Sequence, residues 1–299
     1  MELFQGSGVA LITPFKKDLT IDFEALEKLI EYQIENGTKA IISLGTTGEP
    51  STMTKEEKVS VIRFTKKVIA GRVQLIVGAG ANSTAVAREN VQLAASEGAD
   101  AILAVTPYYN KCTQNGLIEY YSALRKETNL PIIAYNVPGR TGVNIQPATF
   151  AKAVKLGVVN AIKEASGNMV QATELARLIS EELDNKAVLY SGDDGLTLPF
   201  LSIGSRGVIS VLANPAPAVM SALTKAFFDG NLQKARELQL AINPLVNALF
   251  MEVNPTPVKA ACSMLGFCEN LLREPLLPME EEHVPTLKNA LDKVLALKF

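Results

Sequence analysis

A lysine stands at the far end of the run Val158-Val159-Asn160-Ala161-Ile162-Lys163, just before Glu164-Ala165-Ser166-Gly167 and a new helical pattern. The run is uncharged up to Lys163 and rich in β-branched residues, so it reads as a buried parallel strand with an ammonium at its C-terminal tip. An ammonium is costly to desolvate there, which favours the neutral amine and makes it available as a nucleophile. On this residue alone, a solvated lysine beginning a loop is the more ordinary reading, and it is the rest of the chain that favours the strand tip. Other segments add groups suited to the same chemistry. Gly45-Thr46-Thr47-Gly48-Glu49 sets two hydroxyls between glycines, a loop able to turn successive backbone N–H groups toward a carboxylate, although such loops are also common turns. Tyr135 ends another apolar run; a phenol beside an ammonium can shuttle protons, or can simply be a rim residue of the core. Arg140, in Val137-Pro138-Gly139-Arg140-Thr141-Gly142, suits bidentate capture of a carboxylate, or is an ordinary surface arginine. Ser191-Gly192-Asp193-Asp194 and Gly207-Val208-Ile209-Ser210 close two further runs and could be no more than polar strand ends.

Composition narrows the chemistry. The chain of 299 residues holds one histidine, His283, in the charged stretch Glu280-Glu281-Glu282-His283. Ser-His-Asp triads, Cys-His pairs and His-rich metal sites each need a well-placed imidazole, so proton transfer falls to Lys, Tyr, Thr or carboxylates. Three cysteines, Cys112, Cys262 and Cys268, include no Cys-x-x-Cys and argue for a reducing compartment; neither a metal nor an organic cofactor is expected. Hydrophobic residues make up 47% and charged ones 20%, with a net charge of −2, which offers no basic patch for nucleic acid. The first residues lack the charged and apolar regions of a signal peptide, and no run of about 18 apolar residues is long enough to span a membrane. A cytoplasmic protein is expected.

Short apolar runs recur at intervals of roughly 25–30 residues with helical patterns between them, the rhythm of βα units. The strands are read at Val9-Ala10-Leu11-Ile12, Ala40-Ile41-Ile42-Ser43-Leu44, Leu75-Ile76-Val77, Ala101-Ile102-Leu103-Ala104-Val105, Ile132-Ile133-Ala134-Tyr135, Ala161-Ile162-Lys163, Val188-Leu189-Tyr190 and Gly207-Val208-Ile209-Ser210-Val211. Eight such strands predict an α/β fold, a (β/α)8 TIM barrel, with chemistry at the C-terminal strand ends. Thr54-Lys55-Glu56-Glu57 is a capping box, and Asp22, Asn82 and Asn168 are expected caps. The eighth helix should begin near Pro215-Ala216-Pro217 and end by Asp229-Gly230. This sets a catalytic barrel over residues 1–230 and a C-terminal helical appendage over 231–299, broken at Asn243-Pro244, Asn254-Pro255-Thr256-Pro257 and Glu274-Pro275.

Gly45-Thr46-Thr47-Gly48-Glu49, Tyr135-Asn136-Val137-Pro138-Gly139-Arg140-Thr141, Ile162-Lys163-Glu164-Ala165-Ser166-Gly167 and Asn254-Pro255-Thr256-Pro257-Val258-Lys259 occur in this order. Together they resemble, essentially end to end, the dihydrodipicolinate synthase family of Schiff-base, pyruvate-dependent class I aldolases, which also includes N-acetylneuraminate lyase. The resemblance implies that Lys163 forms an imine with pyruvate. It also implies a proton relay of Thr46, Tyr135 and Tyr109, the last donated by a neighbouring subunit of a dimer of dimers. Thr47, with Thr46, would hold the pyruvate carboxylate, Gly192 and Ile209 would line its pocket, and Arg140 would receive the carboxylate of aspartate semialdehyde. The competing activities are a sister lyase of sugar acids and a non-catalytic barrel that binds a keto acid; Arg140 favours a short substrate ending in carboxylate. One departure stands out. Members inhibited by L-lysine carry a histidine-bearing helix after the threonine loop and a glutamate for the ligand's ammonium. Here Lys55, Lys58, Pro50 and Val86 take the matching places, and Asn82 and Tyr108 alone keep the pattern.

Overall fold

The computed structural model describes residues 2–299. Its eight strands are β1 (Gly6–Ala10), β2 (Ala40–Ser43), β3 (Gln74–Gly78), β4 (Ala101–Val105), β5 (Ile132–Asn136), β6 (Ala161–Glu164), β7 (Val188–Ser191) and β8 (Gly207–Ser210). Each pairs in parallel with its sequence neighbours, and β1 pairs with β8, so the sheet closes into a barrel. Closure brings β1 and β8 very near each other: a Cβ on Gly207 would lie 2.0 Å from the Gly6 carbonyl oxygen, so only glycine fits that seam. The alternation of each strand divides the core in two. Ile132, Ala134 and Ile162 pack outward against the helices, while Ile133, Tyr135, Ala161, Tyr190 and Ile209 pack inside the barrel. Lys163 is two residues past Ala161, so the same alternation turns its side chain inward. Its in-register neighbours are Tyr135 on β5 and Tyr190 on β7.

The floor of the barrel is sealed. Phe4 stacks on Tyr190 at 4.5 Å between ring centroids, and the Tyr190 hydroxyl donates to the Phe4 carbonyl at 2.6 Å. Around the sheet, the capping box at Thr54 and Glu57 forms as expected, and Asp22 and Asn168 cap helices Phe23–Glu35 and Met169–Glu181. Among the described residues no helix is long and apolar enough to cross a membrane.

Three local expectations differ from the structure. The first strand is Gly6–Ala10, offset from the expected Val9–Ile12: Leu11 N still bonds Ile42 O at 3.0 Å, but Ile12 N leaves the sheet for Asn214 Oδ1 at 2.9 Å, and Ile12 is buried by packing alone. Helix Thr84–Ser96 is capped by Ser83, whose hydroxyl accepts from Val86 N, one residue after the expected Asn82. The expected break at Asn243–Pro244 is absent: helix Leu232–Leu249 runs straight through Pro244. Proline removes one N–H, but the carbonyl it strands belongs to the exposed Leu240, where water can take its place. This helix packs on helices Pro217–Phe228 and Val284–Leu295 and reaches over the mouth of the barrel.

Candidate active site

A cavity of about 670 Å³ opens at the C-terminal ends of the strands. Lys163 lies on its wall, 5% exposed, with Nζ 4.3 Å from the centroid of the Tyr135 ring. Glycine at position 192 makes room for this side chain: a Cβ there would sit 3.1 Å from Lys163 Cε and 2.7 Å from Ala165 Cβ. Behind Lys163, on the opposite face of β6, the buried Glu164 carboxylate accepts from Asn136 Nδ2 at 2.8 Å, Gln171 Nε2 at 3.1 Å and Ser166 N at 2.7 Å. Those bonds tie the tips of β5 and β6 to the next loop and helix, and so hold Tyr135 and Lys163 side by side.

The threonine loop is a tight 3-10 turn, Thr46–Gly48, closed by Gly48 N donating to Gly45 O at 2.9 Å and Glu49 N to Thr46 O at 3.2 Å. Glu49 ends the turn in the left-handed region, φ 55 and ψ 42, which an L-residue adopts at a cost of about 1 kcal/mol. Its buried carboxylate is gripped by Lys259 Nζ at 2.5 Å and by Arg273 N at 3.1 Å. Burial pushes the Lys259 ammonium below its ordinary range and the Glu49 carboxylate opposes that shift. Thr47 Oγ1 accepts from Asn254 Nδ2 at 3.0 Å. Arg140, on the short turn Pro138–Thr141, donates from Nη2 to the Asn254 carbonyl at 3.0 Å. Behind the wall formed by Asp193, Gly195 and Leu196, the buried Asp194 accepts from Val211 N and Leu212 N, both at 3.0 Å, and desolvation raises its carboxyl above the usual range.

The structure thus brings Lys163, Tyr135, Thr46, Thr47, Arg140 and Gly192 around one cavity. Ile209 does not reach it and packs in the inner core beside Tyr135. Tyr109 is absent from the wall as well: it is 90% exposed and has φ 72. The apolar run before Lys163 and the glycine loops marked the barrel's share of the site. Asn243, Asn247 and Phe250, which helix Leu232–Leu249 and its end add to the wall, carried no such signal, and Asn254 and Lys259 lie in a motif of the family resemblance that said nothing of their contacts. A lysine inside the apolar run Pro257-Val258-Lys259-Ala260-Ala261-Cys262 was a further hint. Among the described residues no group of three or more His, Cys, Asp or Glu side chains is placed to hold a metal ion.

The model of the Dihydrodipicolinate synthetase family matches residues 3–294. The chain belongs to this family. Dihydrodipicolinate synthetase relatives are similar over nearly their whole length. A 4-hydroxy-tetrahydrodipicolinate synthase of Alkaliphilus oremlandii is 49% identical, over 97% of this chain and 99% of the relative. One from Caldicellulosiruptor bescii is 50% identical over 97% of each chain. The crystal structure of dihydrodipicolinate synthase from Thermotoga maritima superposes with a TM-score of 0.96 at 44% identity, covering 99% of this chain and 100% of that one. These family members share the closed barrel and the helices that follow it.

Proposed function

We infer that the chain is a lyase of the class I aldolase type that condenses pyruvate with L-aspartate 4-semialdehyde to 4-hydroxy-tetrahydrodipicolinate, in the diaminopimelate route to lysine. The observation that carries the reading is a buried lysine amine beside a tyrosine ring, aimed into a cavity of about 670 Å³ between a threonine loop and an arginine. Neutral Lys163 attacks the pyruvate ketone, and loss of water leaves an iminium. The iminium draws electrons from the methyl carbon, a methyl proton departs, and the enamine forms. The enamine carbon bonds to the aldehyde carbon, whose oxygen takes up a proton. The substrate's own amine then attacks the imine carbon, closes the ring and releases Lys163 as the free amine.

Each step moves a proton over a short path, and the proposed carriers are Tyr135, Thr46 and the Tyr109 of a neighbouring copy. Tyr109's exposure supports that sharing, as does a tyrosine pair that would otherwise leave aromatic surface in water. Thr46 and Thr47 take the pyruvate carboxylate, Gly192 shapes the space for it, and Arg140 takes the second carboxylate. In this reading residues 1–230 carry the chemistry and residues 231–299 roof it, the active form is a dimer of dimers, and the enzyme is cytoplasmic. The test is borohydride reduction in the presence of pyruvate, followed by peptide mass spectrometry. A pyruvyl adduct is expected on Lys163, and none in Lys163→Ala or in Lys163→Arg, whose guanidinium stays protonated. An adduct on a different lysine overturns the assignment.

A further inference from the structure

Residues 254–259 lie far along the chain from the strand tips, yet they make three contacts at the mouth of the barrel. Asn254 Nδ2 donates to Thr47 Oγ1 at 3.0 Å, the Asn254 carbonyl accepts from Arg140 Nη2 at 3.0 Å, and Lys259 Nζ donates to Glu49 Oε1 at 2.5 Å. Two of the three hold the threonine loop and the third holds the arginine. The Glu49–Lys259 pair is the deepest of them. Lys259 is fully buried, its Nζ 4.1 Å from the centroid of the Phe15 ring, and Arg273 covers the same ring at 4.5 Å while its backbone N–H bonds the other oxygen of Glu49. A buried ion pair adds little to fold stability, because desolvating both charges offsets most of their attraction. What it does supply is geometry: the carboxylate can sit in one place, and Glu49 is the residue whose left-handed backbone ends the Thr46–Gly48 turn.

We propose that Glu49 and Lys259 form a positioning pair that holds the backbone N–H groups of Thr46 and Thr47 on the carboxylate of pyruvate, with Asn254 bracing the same loop from the cavity side. This rests on the reading of Lys163 as the pyruvate amine. Neither charged residue touches the substrate. Their effect is on how well the loop meets the carboxylate before the amine attacks, so it falls on the pyruvate dependence of imine formation and not on the amine itself.

The experiment is borohydride trapping of Lys163 over a range of pyruvate concentrations, with thermal unfolding measured on the same samples. Glu49→Gln/Lys259→Met removes both charges together, so no lone buried charge is left to unfold the protein. Half-saturating pyruvate should rise about tenfold or more, with labelling at saturation still reaching completion and the KM for the semialdehyde changing by less than about threefold. Asn254→Ala, which removes the bond to Thr47 and keeps the carbonyl that Arg140 uses, should shift the pyruvate dependence in the same direction and stands alone if the double variant does not fold. A pyruvate dependence within twofold of wild type in either folded variant overturns the proposal. Wild-type protein that takes up no label overturns the reading of Lys163 instead, so the two failures are told apart.

Discussion

Replacing Gly192 by alanine tests how tightly the amine is positioned. The new Cβ would lie 2.7 Å from Ala165 Cβ, 3.1 Å from the Glu164 carbonyl oxygen and 3.1 Å from Lys163 Cε. Carbon atoms in comfortable contact are about 3.5–4.0 Å apart, so the Lys163 stem must retreat by roughly half an ångström or more, and Ala165 by more. The Glu164 oxygen cannot yield easily, since it accepts the Gly192 N–H at 2.8 Å and so links β6 to the chain beyond β7. Gly192 lies outside the left-handed region, so alanine adds no dihedral penalty and the whole effect is crowding. Crowding of this kind costs about 1–3 kcal/mol of stability, a fall in Tm of several degrees for a chain of this size. Displacement of the amine is the larger consequence for chemistry: imine formation at saturating pyruvate should slow by about 10- to 100-fold. Timed borohydride quenching read by intact mass gives the rate, and calorimetry gives Tm. A lowered Tm with an unchanged trapping rate would refute the claim that Gly192 sets the position of Lys163.

Arg140→Ala should reduce kcat/KM for aspartate semialdehyde on the order of 100-fold, the loss of a desolvated charge-assisted contact, while leaving pyruvate labelling of Lys163 within about threefold. Equal damage to both would make Arg140 a structural residue. Tyr109→Phe should lower turnover about tenfold or more in an assembly that sediments like wild type, and a fully active monomer would refute a shared site. Glu57 is held below the usual carboxylate range by the Arg273 guanidinium, which bonds both of its oxygens. A depressed carboxylate contributes stability above its unfolded pKa and loses it as pH falls through the folded value. The Tm gap between wild type and Glu57→Gln, about 1–3 °C at pH 7 for a partly exposed pair, should therefore close on acidifying below about pH 4.5, and a gap constant from pH 7 to pH 3 would contradict this. Finally, a small cavity of about 210 Å³ beside the threonine loop is lined by Lys58, Val86, Tyr108 and Pro50 and, among the described residues, by no carboxylate. Steady-state turnover should be unaffected by L-lysine at about 1 mM, since a cationic ligand meets a lysine and no anion there; half-inhibition below that concentration would point to a different effector site.

The barrel was legible because a parallel strand buried on both faces must be a short apolar run, and each of the eight runs met that requirement. Where the reading slipped, the cause was local. Ile12 is apolar because it is buried, which is not the same as being paired in the sheet, and Pro244 sits in a helix because its missing hydrogen bond falls on the solvent side. Ser83 outcompeted Asn82 as a cap by a single residue, a difference that neighbouring polar side chains do not encode. At the site, Lys163 and the threonine loop stood out because charge and paired hydroxyls are unusual at strand tips. Asn254 and Lys259 belong to a motif of the resemblance, but their contacts were not legible, because a side chain's partner 207 or 210 positions away leaves no periodicity to read.

Those same separations govern when the protein becomes competent during its own synthesis. At about 5–20 residues per second, roughly 10–40 seconds pass between translation of the threonine loop and translation of residue 259. Over the later part of that interval, roughly 5–20 seconds from translation of Lys163 to that of residue 259, a nascent chain already contains Lys163 but lacks the clasp on Glu49 and the brace on Thr47. Ordering of the threonine loop, the proposed carboxylate receptor, should therefore be among the last events of folding, coupled to docking of the final helices, and a growing chain should hold Lys163 before the loop is in place.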